Sequence, residues 1–221
     1  MGAAGASVIV ERDRLALTSL RLAPRLLGAV LVSDVGGERV AVRLTEVEAY
    51  EGVDDPASHA FRGSTPRTAV MFGPAGHLYC YFTYGMHWCA KITCGEDGVA
   101  SAVLLRAGEI VEGVETAALR RPAARASRDL ARGPARLAAA LGLDRATDGL
   151  DLCAAGSPVR LASMPSRAAR GIESGPRVGI SVAIERPWRF WLVGESSVSQ
   201  FKPGRPPRVG RAKSVEARRQ T

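Results

Sequence analysis

The chain has 221 residues, and 46% of them are hydrophobic, which is enough apolar sequence for one globular domain with a packed core. No apolar run approaches the roughly 20 residues that a membrane-spanning helix needs, which excludes a helical membrane protein. The first residues lack the basic-then-apolar order of a secretion signal, so we expect a cytoplasmic protein, and the net charge of +8 suggests a polyanionic partner.

Most of the excess positive charge lies at the C-terminal end. Residues 202–221 contain seven basic residues and one acidic residue, a net charge of +6, so residues 1–201 carry only +2. This Pro- and Gly-containing segment has too little apolar surface to form a core, and we predict a disordered basic tail. Such a tail either stays solvated or tethers the protein nonspecifically to DNA by counterion release. Residues 1–12 are also predicted to be disordered.

The first predicted elements are a helix and a β-hairpin. Spaced leucines predict a helix over residues 15–27, which Pro24 should break or kink and Gly28 should end. Residues 29–33 form a predicted strand, Gly36 and Gly37 signal a hairpin turn, and residues 38–50 form the returning strand.

A long loop, short strands and two helices are predicted after the hairpin. Residues 52–76 are rich in Gly, Pro, Asp and Ser, and a loop of this length in a compact domain is usually functional. The predicted strands cover residues 78–84, 100–105, 178–184 and 190–193, with another around Ile92, and the predicted helices cover 113–119 and 134–141. Short strands in runs with few helices favour a single α+β domain with a largely antiparallel sheet.

The cysteines do not form a zinc signature, because no Cys-x-x-Cys pair is present. In a cytoplasmic chain of this size we interpret them as buried free thiols. They are Cys80, Cys89, Cys94 and Cys153.

The tyrosines and histidines are concentrated in one part of the chain. The four tyrosines lie at positions 50, 79, 81 and 84, and the three histidines at positions 59, 77 and 87. Both side chains combine a π-face with a polar group. One explanation is an aromatic mini-core around a hairpin, but Trp88, Trp188 and Trp191 are better core candidates. We therefore favour a functional site.

Glu48 lies near the end of the second predicted strand. If that strand is regular, Glu46 and Glu48 share a face with the apolar residues Val40, Val42 and Leu44. A carboxylate on an apolar face is costly unless it is paired or held for chemistry, and a salt bridge is the more common explanation. Tyr50 and the His-bearing loop after it favour chemistry, because hydrolysis of a base–sugar bond needs a carboxylate beside a π-surface that stacks the base.

The strand over residues 78–84 also alternates. Tyr79 and Tyr81 project to one side, whereas Tyr84 projects to the other, next to Gly85, where a turn is expected. A large aromatic at an exposed turn suits a wedge pushed into a base stack, although it is also an ordinary turn residue. The residues alone therefore permit a hydrolase that acts on a base, but also other sites built from an acid, tyrosines and histidines.

Nine short segments form a pattern that is specific only as a whole. They are 45–50 (TEVEAY), 55–59 (DPASH), 65–67 (TPR), 71–72 (MF), 78–81 (LYCY), 84–89 (YGMHWC), 103–106 (VLLR), 133–134 (GP) and 177–179 (RVG). Together they resemble the alkyladenine DNA glycosylase family, also called 3-methyladenine DNA glycosylases. The resemblance covers roughly residues 20–201.

This resemblance implies one α+β glycosylase domain, which we place at residues 13–201, around a curved antiparallel sheet flanked by helices. It implies a monofunctional enzyme without metal or other cofactor, which flips an alkylated, deaminated or etheno purine out of double-stranded DNA and hydrolyses the N-glycosidic bond. We also expect a monomer that associates with the nucleoid when bound to DNA.

The resemblance also implies roles for single residues. Glu48 resembles the general base that holds the attacking water, and Arg106 resembles the residue that helps to position that water. Tyr84 resembles the side chain that enters the gap left in the duplex after the base is flipped.

The implied base pocket has Tyr50 and Tyr81 as stacking partners, with His59 on another side and Lys91 in its wall. Lys91 departs from the family, which usually has Asn there, and that Asn is associated with rejecting the exocyclic amine of guanine. Lys91 either turns away, pairs with a nearby acid or phosphate, or disfavours cationic bases such as 7-methylguanine and favours neutral lesions such as hypoxanthine.

Three functional hypotheses follow. The first is an active purine-lesion glycosylase, and the second is a family member that binds damaged DNA with weak or altered catalysis because of Lys91. The third is an unrelated metal hydrolase that uses the three histidines, which is disfavoured because they lack a His-x-x-x-His spacing.

Overall fold

Eight antiparallel strands form one open sheet in this computed structural model, which describes residues 9–166, 169 and 171–204. The strands are β1 Val30–Ser33, β2 Val40–Tyr50, β3 Leu78–Thr83, β4 His87–Thr93, β5 Ala102–Glu112, β6 Val159–Ser163, β7 Ile172–Gly175 and β8 Arg189–Leu192. Their order is β3-β4-β5-β2-β1-β6, and β8 pairs with both β2 and β7. The helices are α1 Ser19–Leu26, α2 Val114–Arg120 and α3 Pro134–Leu141. The predicted single α+β domain with an antiparallel sheet is confirmed.

Helix α1 is shorter than predicted and continues past Pro24. It begins at Ser19, where Glu51 Oε1 accepts hydrogen bonds from the Ser19 hydroxyl and the Leu20 N–H. A carboxylate at this end of a helix satisfies free N–H groups and complements the helix dipole. Burial of Leu22, Ala23 and Leu26 against the core offsets the one hydrogen bond that Pro24 cannot donate.

Strand β2 is irregular in its middle. Two of the three register shifts in its pairing with β5 lie there, so that Thr45 is skipped on β2 and Arg106 is skipped on β5. An extra residue of this kind reverses which side chains face a given side of the sheet. The main core therefore receives Val40, Val42 and Leu44 before the irregularity, and Val47 and Ala49 after it.

This irregularity makes one prediction wrong. Glu46 and Glu48 do not share a face with Val40, Val42 and Leu44, because the skipped Thr45 turns them to the opposite side of the sheet. They lie instead on the side of Tyr50. Arg106 lies on the same side, where it continues the alternation of Ala102 and Leu104 along β5, so the turned carboxylates meet an arginine.

After residue 100, four strands differ from prediction. Strands β6 and β7 were not anticipated, and the strand predicted for residues 178–184 is wrong, because that segment is a series of bends and turns. Its apolar residues alternate, but Gly179 adopts a φ of 76°, which interrupts the extended backbone that a strand requires. Strand β5 extends to Glu112, well beyond the predicted 100–105.

The aromatic side chains are distributed differently from the prediction. The tryptophans are only partly buried, at positions 88, 188 and 191. A second hydrophobic cluster instead contains the buried rings of Tyr50, Tyr79 and Tyr81. These tyrosines therefore belong to one packed cluster, and Tyr50 and Tyr81 also face the cavity described below. The cysteines at positions 80, 89 and 94 are buried free thiols, and Cys153 is partly buried.

Both chain ends lie largely outside the described residues. The predicted disordered segment, residues 1–12, and the predicted basic tail, residues 202–221, are described only at 9–12 and 202–204, so they stay predictions. In the described part of the chain, no helix has the length and apolar character to cross a bilayer.

Candidate active site

A cavity of about 330 Å³ opens on the side of the sheet that carries Glu48. Strands β2 to β5, the loop after β2 and residues 178–180 contribute to its walls. All seven site residues named from the sequence line it: Glu48, Tyr50, His59, Tyr81, Tyr84, Lys91 and Arg106. The structure therefore brings the whole predicted set together in one place.

Glu48 is completely buried and is held by two hydrogen bonds and an ion pair. Its Oε1 accepts a hydrogen bond from the Val178 N–H at 2.7 Å and lies 3.3 Å from Arg106 Nη1. Its Oε2 accepts a hydrogen bond from the Tyr50 hydroxyl at 2.9 Å. Burial and then the charge of Glu48 raise the pKa of Tyr50 well above its usual range, so this hydroxyl remains a donor. Both carboxylate oxygens are thus fixed in orientation at the wall of the cavity.

Arg106 is positioned by a second buried carboxylate. Its Nε donates to Glu46 Oε1 at 2.9 Å, and Glu46 also accepts from Arg189 Nε and from the Ser199 N–H, each at 2.6 Å. The salt bridge considered as the ordinary explanation for a carboxylate here therefore describes Glu46 better than Glu48. Sequence reasoning did not identify Arg189 or Ser199, which come from strand β8 and the segment that follows it.

The aromatic wall of the cavity consists of Tyr50, Tyr81 and His59, and Tyr79 packs against the last two without lining the cavity. Tyr79 and Tyr81 stack with centroids 5.4 Å apart, and His59 meets Tyr81 edge-on at 4.6 Å. His59 Nδ1 lies 3.2 Å from the Tyr79 hydroxyl. His59 is accessible from the cavity, but the protein around it and the charges of Lys91 and Arg67 lower its pKa to about 3, which keeps the ring neutral.

Lys91 points into the cavity and is almost completely buried. Its Nζ lies 3.5 Å from the centroid of the Tyr50 ring and 5.7 Å from that of Tyr81. Burial lowers the pKa of Lys91 to about 7, against the opposing attraction of Glu48 and Asp55. Of the alternatives raised by the sequence, the structure thus excludes a side chain that turns away from the pocket.

Arg177 and Asp55 form a buried ion pair behind Tyr50. The Arg177 guanidinium donates to both carboxylate oxygens of Asp55 and to the Ala49 carbonyl, and its central carbon lies 4.6 Å from the Tyr50 ring centroid. This pair ties the loop after β2 to the segment that supplies the Val178 N–H. Both residues occur in the sequence motifs, but nothing in the sequence indicated that they pair.

Tyr84 occupies the tip of the β3–β4 hairpin at the rim of the cavity. Its side chain is 83% exposed, and its φ of 52° lies in the left-handed region, which is unfavourable for a bulky residue. Phe82 and Met86 beside it are also exposed. Both the exposure of this ring and the strain of its backbone cost free energy, and no packing among the described residues depends on them.

A second cleft, of about 410 Å³, adjoins the cavity. Both are lined by Tyr84 and Arg106, and the cleft adds the cations Arg132, Arg136 and Lys202. Positive side chains along a groove suit a polyanion. Over the described ranges, no three His, Cys, Asp or Glu side chains are grouped so that they could hold a metal ion.

Comparisons with known proteins agree with one another. The family model for methylpurine-DNA glycosylase (MPG) matches residues 13–196. A relative from Streptomyces avermitilis named "Putative 3-methyladenine DNA glycosylase" is 50% identical over 201 residues, which is 90% of this chain and 94% of the relative. Relatives of the same name are 48% identical in Nocardia farcinica (96% and 99% covered) and 52% identical in Leifsonia xyli (86% and 92% covered).

These similarities extend over nearly the whole domain and define the protein as a DNA N-glycosylase. The chain belongs to the methylpurine-DNA glycosylase family. The resemblance inferred from the sequence motifs is confirmed.

Proposed function

We propose that the enzyme flips a damaged purine out of duplex DNA into the cavity and hydrolyses its N-glycosidic bond with a water that Glu48 activates, leaving an abasic site. The substrates in this proposal are alkylated, deaminated or etheno purines. The observation that carries it is the buried Glu48 carboxylate, held by two hydrogen bonds and an ion pair at the wall of an aromatic-lined cavity.

The reaction at Glu48 is a single displacement. The water oxygen bonds to C1′ of the deoxyribose while the bond to the purine breaks and its electron pair leaves with the base. One water proton passes to Glu48, and Arg106, held by Glu46, helps to orient the water. The carboxylate also stabilises the positive charge that develops on the sugar.

The base would be held by the aromatic wall. Tyr50 and Tyr81 offer ring faces, and His59, which stays neutral, offers a hydrogen-bonding edge without adding charge. Flipping costs a few kcal/mol and costs least for a damaged, poorly paired base, which is one source of selectivity.

DNA would be bound along the adjacent cleft. Tyr84 would fill the gap left by the flipped base, and Arg132, Arg136 and Lys202 would neutralise backbone phosphates. A side chain that occupies the place of the flipped base in the stack prevents the base from returning to the duplex.

A second candidate is a family member that binds damaged DNA with weak or altered catalysis. The observation that favours it is the Lys91 ammonium over the face of Tyr50, because a stacked purine has to displace it. Both candidates expect DNA binding, but only the first expects an abasic product.

The test is a base-release assay on duplexes that carry hypoxanthine, ethenoadenine or an alkylated purine. Wild type should release at least one of these bases and leave alkali-sensitive abasic sites, and Glu48→Gln should release none in the time that wild type needs to complete the reaction. The matched control is Glu109→Gln, a more exposed carboxylate on β5, which should retain wild-type activity. Lesion binding by wild type without release of any base would favour the second candidate.

A further inference from the structure

Lys91 is placed where a bound purine would meet its charge. Its Nζ lies 3.5 Å from the Tyr50 ring centroid and 5.7 Å from that of Tyr81, the two rings proposed to stack on the base. The side chain is only 1% exposed, so bulk water does not screen the ammonium. A purine that stacks on Tyr50 has to displace Lys91 Nζ from the ring face. The displaced ammonium then lies at the edge of the purine, where the nitrogen and oxygen acceptors of the base are.

The groups that face Lys91 make its charge decisive. Two ion pairs lie beside Lys91, Glu48 with Arg106 and Asp55 with Arg177, and the charges within each pair cancel. The protonated Lys91 therefore adds a positive charge that these two pairs do not neutralise, next to the charge of Arg67, which acts on His59 and Tyr79. The remaining titratable neighbours are Tyr50 on β2, Tyr79 and Tyr81 on β3, Cys89 on β4 and His59 on the loop after β2.

Those neighbours do not change charge near neutral pH. Burial raises the pKa values of Tyr50 and Tyr81 well above their usual range and that of Cys89 to about 11, and burial lowers the pKa of His59 to about 3. Burial instead moves the pKa of Lys91 towards neutrality, from 10.5 to about 7. Among these residues, its proton is the one that changes in the physiological range.

We propose that Lys91 selects the lesion by charge, so that its ammonium form accepts neutral purines that present an acceptor, such as hypoxanthine, and rejects purines that already carry a positive charge, such as 7-methylguanine. This inference rests on the proposed glycosylase function. The ammonium donates a charge-assisted hydrogen bond to a neutral base and stabilises the electron pair that the base takes with it when it leaves. A cationic base needs no such help, and it enters against a like charge.

The selection should depend on pH. Between pH 6 and pH 8, a group with a pKa of about 7 falls from about nine-tenths protonated to about one-tenth protonated, so the preference for hypoxanthine should fall at least about tenfold. Replacement of Lys91 by an uncharged side chain should remove this part of the pH dependence.

The experiment measures single-turnover excision of hypoxanthine and of 7-methylguanine from otherwise identical duplexes at pH 6, 7 and 8. Wild type is compared with Lys91→Met and Lys91→Gln, two uncharged replacements of similar length, whose folding is checked by thermal unfolding. Each substrate has its own pH dependence, which all three enzymes share. The informative quantity is therefore the hypoxanthine-to-7-methylguanine rate ratio of wild type divided by that of the variant.

We expect the wild-type rate ratio divided by the variant's rate ratio to fall about tenfold or more from pH 6 to pH 8, with each folded variant. A ratio that does not change with pH overturns the inference for Lys91 while the proposed function stands, provided that wild type releases base and Glu48→Gln does not. Release of neither base by wild type refutes the proposed function, and the inference with it.

Discussion

Removing the Lys91 ammonium should stabilise the folded protein, and most strongly at acidic pH. Burial lowers the pKa of Lys91 from 10.5 to about 7. A lysine whose pKa is lower in the folded state than in the unfolded chain destabilises the fold. The whole cost is present at pH values below the pKa of the folded state, and it disappears as the pH rises towards the pKa of the unfolded chain. The pKa of Lys91 differs between the unfolded and folded states by the difference between 10.5 and about 7. At about 1.4 kcal/mol for each unit of pKa, this lowers the free energy of unfolding by about 5 kcal/mol.

The assay is urea unfolding of wild type and Lys91→Met without DNA at pH 6, 7, 8 and 8.5. Methionine keeps most of the apolar stem and removes the charge, so the variant should be the more stable at pH 6. Its advantage should shrink by about 1.4 kcal/mol for each pH unit above 7. Titration of the cysteines, whose pKa values burial raises, contributes equally to both proteins and cancels in the difference.

The control is Lys202→Met, because Lys202 is exposed and its removal should change stability little at any of these pH values. A free-energy gap between Lys91→Met and wild type that stays constant from pH 6 to pH 8.5 would refute the reasoning, since it would mean that Lys91 carries the same charge in the folded and unfolded states.

Three further predictions concern other parts of the site and fold. Glu46→Gln should lower the free energy of unfolding by about 3 kcal/mol in urea titrations, because Arg106 and Arg189 lose their shared buried carboxylate, and an unchanged midpoint would contradict this. Tyr84→Ala should leave stability within about 0.5 kcal/mol of wild type, since the ring is exposed, but should slow lesion excision from duplex more than from single-stranded DNA; equal slowing would argue against intercalation. Gly108→Ala would place a Cβ 2.6 Å from a backbone oxygen of β2 and should destabilise the fold by about 2 kcal/mol in the same titrations, and a neutral effect would contradict the close strand packing.

The sequence was sufficient to name residues that line one cavity, but not to orient them. Glu48 and Tyr50 follow each other at a spacing of two, and that local relation persists as a hydrogen bond between their side chains. The face of the sheet on which they lie could not be read from alternation, because the register shift at Thr45 reverses it. Such a shift depends on pairing with β5, a strand about 60 residues away, and local periodicity does not contain that information.

The segment after Arg177 shows the same limit. Its apolar residues alternate as they do in a strand, and the sequence predicts one, yet the chain bends there and delivers the Val178 N–H to Glu48. The buried pair of Arg177 and Asp55 holds this bend in place. Residues 122 positions apart along the chain make that pair, so only the folded structure reveals it.

The most direct test of the account is the single-turnover rate of base release by Glu48→Gln at saturating enzyme, measured together with its affinity for lesion-containing duplex. Glutamine keeps the shape of the side chain but cannot take a proton from water. The account predicts that the rate falls on the order of 10³-fold while the Kd for the duplex stays within about threefold of wild type. A rate within about tenfold of wild type would show that Glu48 does not activate the water, and would contradict the central claim.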